Sequence, residues 1–282
     1  MNEKSILVFQ TDFTYKEGAA ASMYGVVKSV DRSLEIIDAT HEIPQYDIWS
    51  ASFRLYQYMR FWPKDTVFVS VVDPGVGTQR RASAARTSDG YYIITPDNGT
   101  LTHVMNHSGI DEIREIDEKT NRLTGFGTEN VSVFHGRDLF SYCAAKLASG
   151  IISFSGTGPE YPAEEIVRFD ISRPVFADGC ISGIIEIADP NFGNIWTNIP
   201  YGMFEEAGFV FGSTPELKIS YEGRTVFRER IPFERSFGYS RKGGLVIYIN
   251  ELNNIAAAVS QGNMLSEYSL GYGNKWEAVF SE

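Results

Sequence analysis

The hydrophobic pattern changes period partway along the chain. Residues 6–10 form a short apolar run closing on Thr11-Asp12, as a parallel strand covered on both faces does. A small-residue helical stretch follows at 18–30, residues 34–38 repeat the strand pattern, and 47–61 place Ile48, Ala51, Leu55 and Tyr58 on one helical side. The segment TVFVSVV at 66–72 is the strongest strand signal. A further strand is expected at 91–95 and a short helix at 99–107, while Leu139, Phe140, Cys143, Ala144 and Leu147 form an apolar stripe at helical spacing. Strand and helix in alternation predict a mainly parallel α/β sheet. After about Arg173-Pro174 the rhythm shifts to strand-like runs at 180–188, 217–221 and 245–249, parted by turns such as Glu222-Gly223 and Lys242-Gly243-Gly244. With only a short helix around 203–207, that spacing predicts a second, mostly β domain, a small barrel or sandwich. The expected division is 1–172 and 173–282.

Composition narrows the function classes. At roughly 100–200 residues per domain, 282 residues suggest about two domains. With 43% apolar and 22% charged residues a sizeable core forms, which excludes a disordered chain. Basic side chains number 25 against 36 acidic, a net charge of −11. That balance argues against nucleic acid and against an anionic membrane surface as partners. No stretch approaches the roughly 18–20 apolar residues of a spanning helix. The N-terminus runs into a strand-like segment without the long apolar region of a leader, so a soluble, cytoplasmic protein is expected. Cys143 and Cys180 form no C-x-x-C and imply neither a disulfide framework nor a zinc site.

In open α/β sheets a ligand sits beyond the carboxyl ends of the strands. Asp12 closes the first strand and Asp73 closes TVFVSVV, opening the tight turn Asp73-Pro74-Gly75-Val76-Gly77. Each is either a functional carboxylate or a cap of a helix or turn. The turn lacks the glycine pattern of a phosphate loop. Arg80-Arg81 follow, as a functional pair or as solvated surface. His135, in Phe134-His135-Gly136-Arg137-Asp138, precedes the 139–147 stripe; positive potential at a helix N-terminus favours the neutral ring, and a packed histidine is the alternative. His103 and His107 stand four apart without the glutamate of H-E-x-x-H, so a surface helix is expected and no metal. No G-x-S-x-G supports a serine hydrolase. The segment from Asp189 to Asn198 sets aromatic rings beside side-chain amides, a combination that suits a heteroaromatic base.

Together, Thr11-Asp12-Phe13, Asp73–Gly77 with Arg80-Arg81, Pro96-Asp97-Asn98-Gly99, Phe134–Asp138, Asp189–Asn198 and Gly262-Asn263 resemble, in order and over nearly the whole chain, the S-adenosyl-L-methionine (SAM) hydroxide adenosyltransferases. These SAM hydrolases are relatives of the SAM-dependent fluorinase and chlorinase. The resemblance implies an N-terminal Rossmann-like α/β domain and a C-terminal β-barrel-like domain. It further implies a homotrimer with SAM bound between one subunit's N-terminal domain and its neighbour's C-terminal domain, and hydrolysis of SAM to adenosine and L-methionine with no cofactor. By motif, the catalytic set falls on Asp73, Arg80 and His135, with Gly136 beside them. Asp12 would hold the ribose hydroxyls, Asn194 the adenine, Asp189 and Glu17 the methionine ammonium. Tyr46 stands in place of a halogenase tryptophan. Phe237 and backbone around Val259 and Gln261 would touch the nucleoside from the neighbouring subunit.

The chemistry implied is in-line attack of activated water at ribose C5′. The halogenases carry tyrosine where this chain has Asp73 and threonine where it has Val76, and an anionic Asp73 disfavours halide as nucleophile. Glu251 and Leu252 stand where relatives carry small hydroxyl or basic residues near the methionine carboxylate. A glutamate there would repel that carboxylate unless it turns away or binds the ammonium. The competing functions are a SAM or adenosine sensor without turnover, and a SAM-dependent halogenase.

Overall fold

The structure, a computed structural model, describes residues 4–128 and 130–282. Residues 1–3, the start of the segment weighed above as a leader, lie outside the described residues. The chain separates into two compact units, Met1–Phe169 and Asp170–Glu282.

The first unit carries, in chain order, β1 (Leu7–Thr11), α1 (Ala19–Val30), β2 (Ile36–Thr40), α2 (Ile48–Met59), β3 (Val67–Val71), β4 (Ala82–Thr87), β5 (Tyr92–Pro96), α3 (Thr102–His107), β6 (Ile110–Glu115), α4 (Glu118–Asn121) and α5 (Tyr142–Ala148). Its described strands form one six-stranded sheet in the order β2-β1-β3-β5-β4-β6. Strands β1 and β3 are buried at every position, which explains their continuous apolar runs. Helix α1 buries Ala20, Met23, Val26 and Val27 at helical spacing, and α2 begins where the Asp47 side chain accepts from the Ser50 N–H at 2.9 Å. The sheet is mainly parallel, as expected, with one exception. β4 runs antiparallel to both β5 and β6. The 139–147 stripe is also helical, but it starts as a π turn over Gly136–Ser141 before α5. Leu139, Phe140, Cys143 and Ala144 are all buried in the core beside β1 and β3.

The second unit carries β7 (Val175–Ala177), β8 (Cys180–Ala188), β9 (Ile195–Pro200), α6 (Tyr201–Glu206), β10 (Glu216–Tyr221), β11 (Arg224–Arg230), β12 (Leu245–Ile249), β13 (Asn254–Val259), α7 (Met264–Glu267) and β14 (Trp276–Ser281). Its described strands make one curled, half-barrel antiparallel sheet, ordered β11-β10-β14-β8-β9-β13-β12 with β7 paired to β8. The long strand β8 joins its two halves: Ile181–Ile184 pair with β14, and Ile185–Ala188 pair with β9. Phe204 packs in the core of this unit against Phe233 and Phe280, with ring centroids 5.3 and 4.9 Å away. The expected α/β and β-barrel-like classes are both borne out.

Among the described residues no helix is long and apolar enough to cross a membrane.

Candidate active site

The carboxyl end of β1 delivers Asp12 and the carboxyl end of β3 delivers Asp73, and both line one cleft of about 590 Å³. Glu17, from the loop before α1, and Tyr46, from the loop before α2, line the same cleft. Asp12 is buried, and its Oδ2 accepts from the Tyr46 N–H at 2.9 Å. Burial raises the Asp12 pKa, the Tyr46 N–H offsets part of that rise, and the nearby Asp73 charge adds to it. The Tyr46 ring itself is 69% exposed, on a backbone with φ of +65°. Asp12 is thus not a helix cap.

Asp73 is not a turn cap either. The turn Asp73–Gly77 folds the chain back so that Arg80 meets it. Arg80 Nε donates to Asp73 Oδ1 at 2.9 Å and Oδ2 at 3.1 Å, and Arg80 Nη2 donates to Oδ2. Gly77 is needed here, with φ of +77° and a Cβ position only 2.9 Å from the Ser132 carbonyl oxygen. Arg80 Nη2 also donates to His135 Nδ1 at 3.0 Å. The guanidinium lies over the Phe140 ring, 5.1 Å from its centroid. Of the arginine pair, Arg80 is therefore the half-buried site residue, and the more exposed Arg81 pairs with Glu165 at 2.5 Å. His135 is buried at the mouth of the π turn; burial lowers its pKa and the charge of Arg80 lowers it further. Gly136 behind it allows the Phe13 and Phe134 rings to approach, with the Cβ position 3.2 Å from Phe13. Asn98 explains the Pro96–Gly99 block: its Nδ2 donates to the Val72 carbonyl at 2.9 Å, fixing the backbone just before Asp73.

The second unit gathers the remaining candidates around Tyr248. Asn194 is buried beside the Tyr248 hydroxyl, which accepts from Trp196 Nε1 at 3.1 Å. Burial raises the Tyr248 pKa, and the charges of Asp189 and Glu251 act in the same direction. Phe237 packs on the Tyr248 ring at 4.6 Å between centroids. Asp189 Oδ1 accepts from the Asn191 N–H at 3.0 Å, shaping the loop that presents Asn194. Gly193 in that loop sits where a Cβ would lie 2.2 Å from Asn263. Asn263 itself caps α7 by accepting from the Ser266 N–H at 2.8 Å, so Gly262-Asn263 serves the loop's support. Val259 is buried at the end of β13, and Gln261, with φ of +54°, turns the chain out of that strand. Trp196 falls in the aromatic and amide segment noted in the sequence, whereas nothing in the pattern singled out Tyr248, which reads as an ordinary strand aromatic.

His103 departs from expectation. It is buried against Trp49 and Phe53, with Nδ1 2.9 Å from Ser52 Oγ, while His107 is exposed. The helix packs on α2, so its first histidine points into the core. Among the described residues no group of three or more His, Cys, Asp or Glu could hold a metal ion.

Family models for the SAM hydroxide adenosyltransferase N-terminal and C-terminal domains match residues 7–158 and 183–277. A (R)-S-adenosyl-L-methionine hydrolase of Methanocaldococcus jannaschii is 28% identical, covering 98% of this chain and 96% of that protein. One of Salinispora tropica is 31% identical over 90% of each. A fluorinase of an Actinoplanes species is 28% identical over 96% of each. Among solved structures, an uncharacterized conserved protein from Thermotoga maritima superposes with a TM-score of 0.87 at 29% identity, covering 98% of this chain and 100% of its own.

Proposed function

The chain belongs to the SAM hydroxide adenosyltransferase family, and we propose that it hydrolyses SAM to adenosine and L-methionine by attack of water at ribose C5′. The observation behind this is the series Asp73, Arg80, His135, hydrogen-bonded in turn, with Asp73 on the wall of a cleft that also holds an oriented carboxylate, Asp12. The cleft is lined by Asp12, Glu17, Glu42 and Asp73 against a single Lys16. An acidic lining of that kind suits a cationic sulfonium.

Sulfonium is an activated leaving group. As the C5′–O bond forms, the C5′–S bond breaks, its electron pair stays on sulfur, and methionine leaves as a neutral thioether. Only the nucleophile then needs help. The positive charge of Arg80 favours the hydroxide form of a neighbouring water. Arg80 occupies three of the roughly four lone-pair sites of Asp73, leaving one on Oδ1 to accept the water's proton. His135, its Nδ1 filled by Arg80, holds the water through Nε2–H. Alignment of oxygen, C5′ and sulfur can contribute roughly 7–11 kcal/mol. Asp12 serves it by accepting from the ribose hydroxyls, with Tyr46 beside the sugar. Asn194 binds the adenine, Asp189 and Glu17 the ammonium, and Phe237 with backbone at Val259 and Gln261 the nucleoside. In a cytoplasmic homotrimer these second-unit residues act on the cleft of the neighbouring subunit. No cofactor enters.

The fluorinase relative makes halide the rival nucleophile. An ionised Asp73 repels F⁻ and Cl⁻, which favours water. Incubation with each sulfonium epimer of SAM in heavy-oxygen water, without halide, separates the cases. Adenosine carrying one heavy oxygen at C5′, with equimolar methionine, is expected. Intact SAM with binding still visible by calorimetry would make the protein a sensor, and halide-dependent turnover a halogenase.

A further inference from the structure

A second hydrogen-bonded chain runs behind the cleft, centred on His41. The residue is fully buried and both ring nitrogens are engaged. Nδ1 lies 2.7 Å from Thr11 Oγ1, and Nε2 lies 2.6 Å from the Tyr24 hydroxyl and 3.1 Å from Asp38 Oδ1. The hydroxyls of Tyr24 and Tyr15 donate to Oδ1 and Oδ2 of Asp38, at 2.6 and 2.8 Å. At the other end, the Phe13 N–H donates to Thr11 Oγ1 at 3.1 Å.

Asp38 is the accepting end of this chain. Burial opposes charge on Asp38, but hydrogen bonds from Tyr24, Tyr15 and His41 outweigh it and hold its pKa below the usual carboxylate value. An ionised carboxylate has no hydrogen to give. Tyr24 therefore spends its hydrogen on Asp38 and accepts from His41 Nε2–H. Thr11 Oγ1 shares a hydrogen with His41 Nδ1 and accepts from the Phe13 N–H. The bonds run unbroken from the Phe13 backbone to Asp38, so each polarises the next.

The Phe13 end of this chain is part of the cleft wall. Phe13 lies between Asp12 and Thr14, and Thr14 holds a φ of +56°, uncommon for a β-branched residue. Its N–H donates to the His41 carbonyl at 2.7 Å. Such a conformation persists only when its surroundings fix it. The same Asp38 anchors Tyr15, two residues before Glu17. On the footing that this cleft receives the nucleoside, we infer that His41 is a positioning residue, which through Thr11 holds the backbone that aims Asp12 at the ribose.

The test uses Thr11, since valine and serine separate its hydroxyl from its methyl. In the full-length protein, adenosine affinity by calorimetry, KM and kcat for SAM, and Tm are measured for Thr11→Val and Thr11→Ser. Thr11→Val is expected to weaken adenosine about tenfold and raise KM in step, with a smaller change in kcat. Thr11→Ser should recover most of the affinity. Tyr24→Phe, which cuts the link nearer the surface, should show an intermediate loss. Wild-type affinity in a folded Thr11→Val protein would overturn the inference alone, as would equal losses in the valine and serine variants. A wild-type protein that neither binds adenosine nor turns over SAM would overturn the nucleoside assignment first, and this inference with it.

Discussion

Arg80 Nη2 donates to His135 Nδ1 across 3.0 Å, and because a guanidinium has no lone pair, the histidine is the acceptor. The ring therefore carries its hydrogen on Nε2. A proton added at Nδ1 would break this bond and set two cations face to face.

Removing either partner should stop the chemistry and spare binding. Arg80→Ala and His135→Ala are each expected to lower SAM turnover by about 10²–10⁴, followed as methionine release, with adenosine binding still measurable by calorimetry. Arg80→Lys should recover little, since an ammonium cannot reproduce the two-sided fork to Asp73 and His135. Near-native rates in both alanine variants would remove the catalytic assignment.

The same bond sets the acid limb of activity. Burial and then the charge of Arg80 lower the His135 pKa below 6.5, so the ring is neutral at pH 7 and remains so on mild acidification. Activity requires the neutral form and is lost as pH falls through that lowered value. The kcat/KM profile should stay flat from neutrality past pH 6.5 and decline only below it. A decline centred above 6.5 would contradict the geometry.

Glu186 offers a stability test in the second unit. It lies in β8, 5% exposed, and burial raises its pKa from 4.5 to about 7. Between those values the folded chain holds a proton that the unfolded chain releases, so stability falls as pH rises from 4.5 through 7 and levels off above. The full difference corresponds to a cost on the order of 3 kcal/mol above pH 7. Glu186→Gln should therefore melt above wild type at pH 8, with the gap closing toward pH 4.5. An equal gap at both pH values in thermal melts would count against this.

Gly193→Ala should be costly where another positive-φ glycine is not. Gly193 has a φ of +68° and its Cβ position lies 2.2 Å from Asn263, whereas Gly223, at +79°, meets nothing within 4 Å. Backbone strain alone costs about 1–3 kcal/mol. Gly223→Ala should show only that loss in denaturant melts. Gly193→Ala should exceed it and also weaken adenosine binding, because its loop presents Asn194.

The strands that end at Asp12 and Asp73 were legible because a fully buried parallel strand has one reading, an apolar run closed by a polar residue. β4 was not. Its sequence ASAART has small residues and no β-branched apolar alternation, and it is buried only because β5 and β6 flank it. β11, with the sequence RTVFRER, hides for the opposite reason: it pairs only with β10, and its exposed positions are mostly charged. In the site, Asp73 and His135 could each be noticed singly, but their link through Arg80 depends on the Pro74–Gly77 reversal and on a contact spanning 55 residues. Tyr248 and His41 carry no local signal, because a polar atom buried among apolar neighbours shows its purpose only once its partner is seen.

The π turn at Gly136–Ser141 makes residue number an angular coordinate. An α-helix advances about 100° per residue, and a π turn spends one residue more to close its ring. His135 is thereby rotated, relative to the buried face of Cys143 and Ala144, by roughly the angle of that one residue. Deleting Arg137, the one residue of the turn that is not buried, would keep Leu139 and Phe140 in phase with Cys143 and Ala144 and swing the imidazole by roughly 100°, away from Arg80. The catalytic ring and the hydrophobic core are phased by a count of residues, so a length change at Arg137 acts on chemistry before it acts on folding.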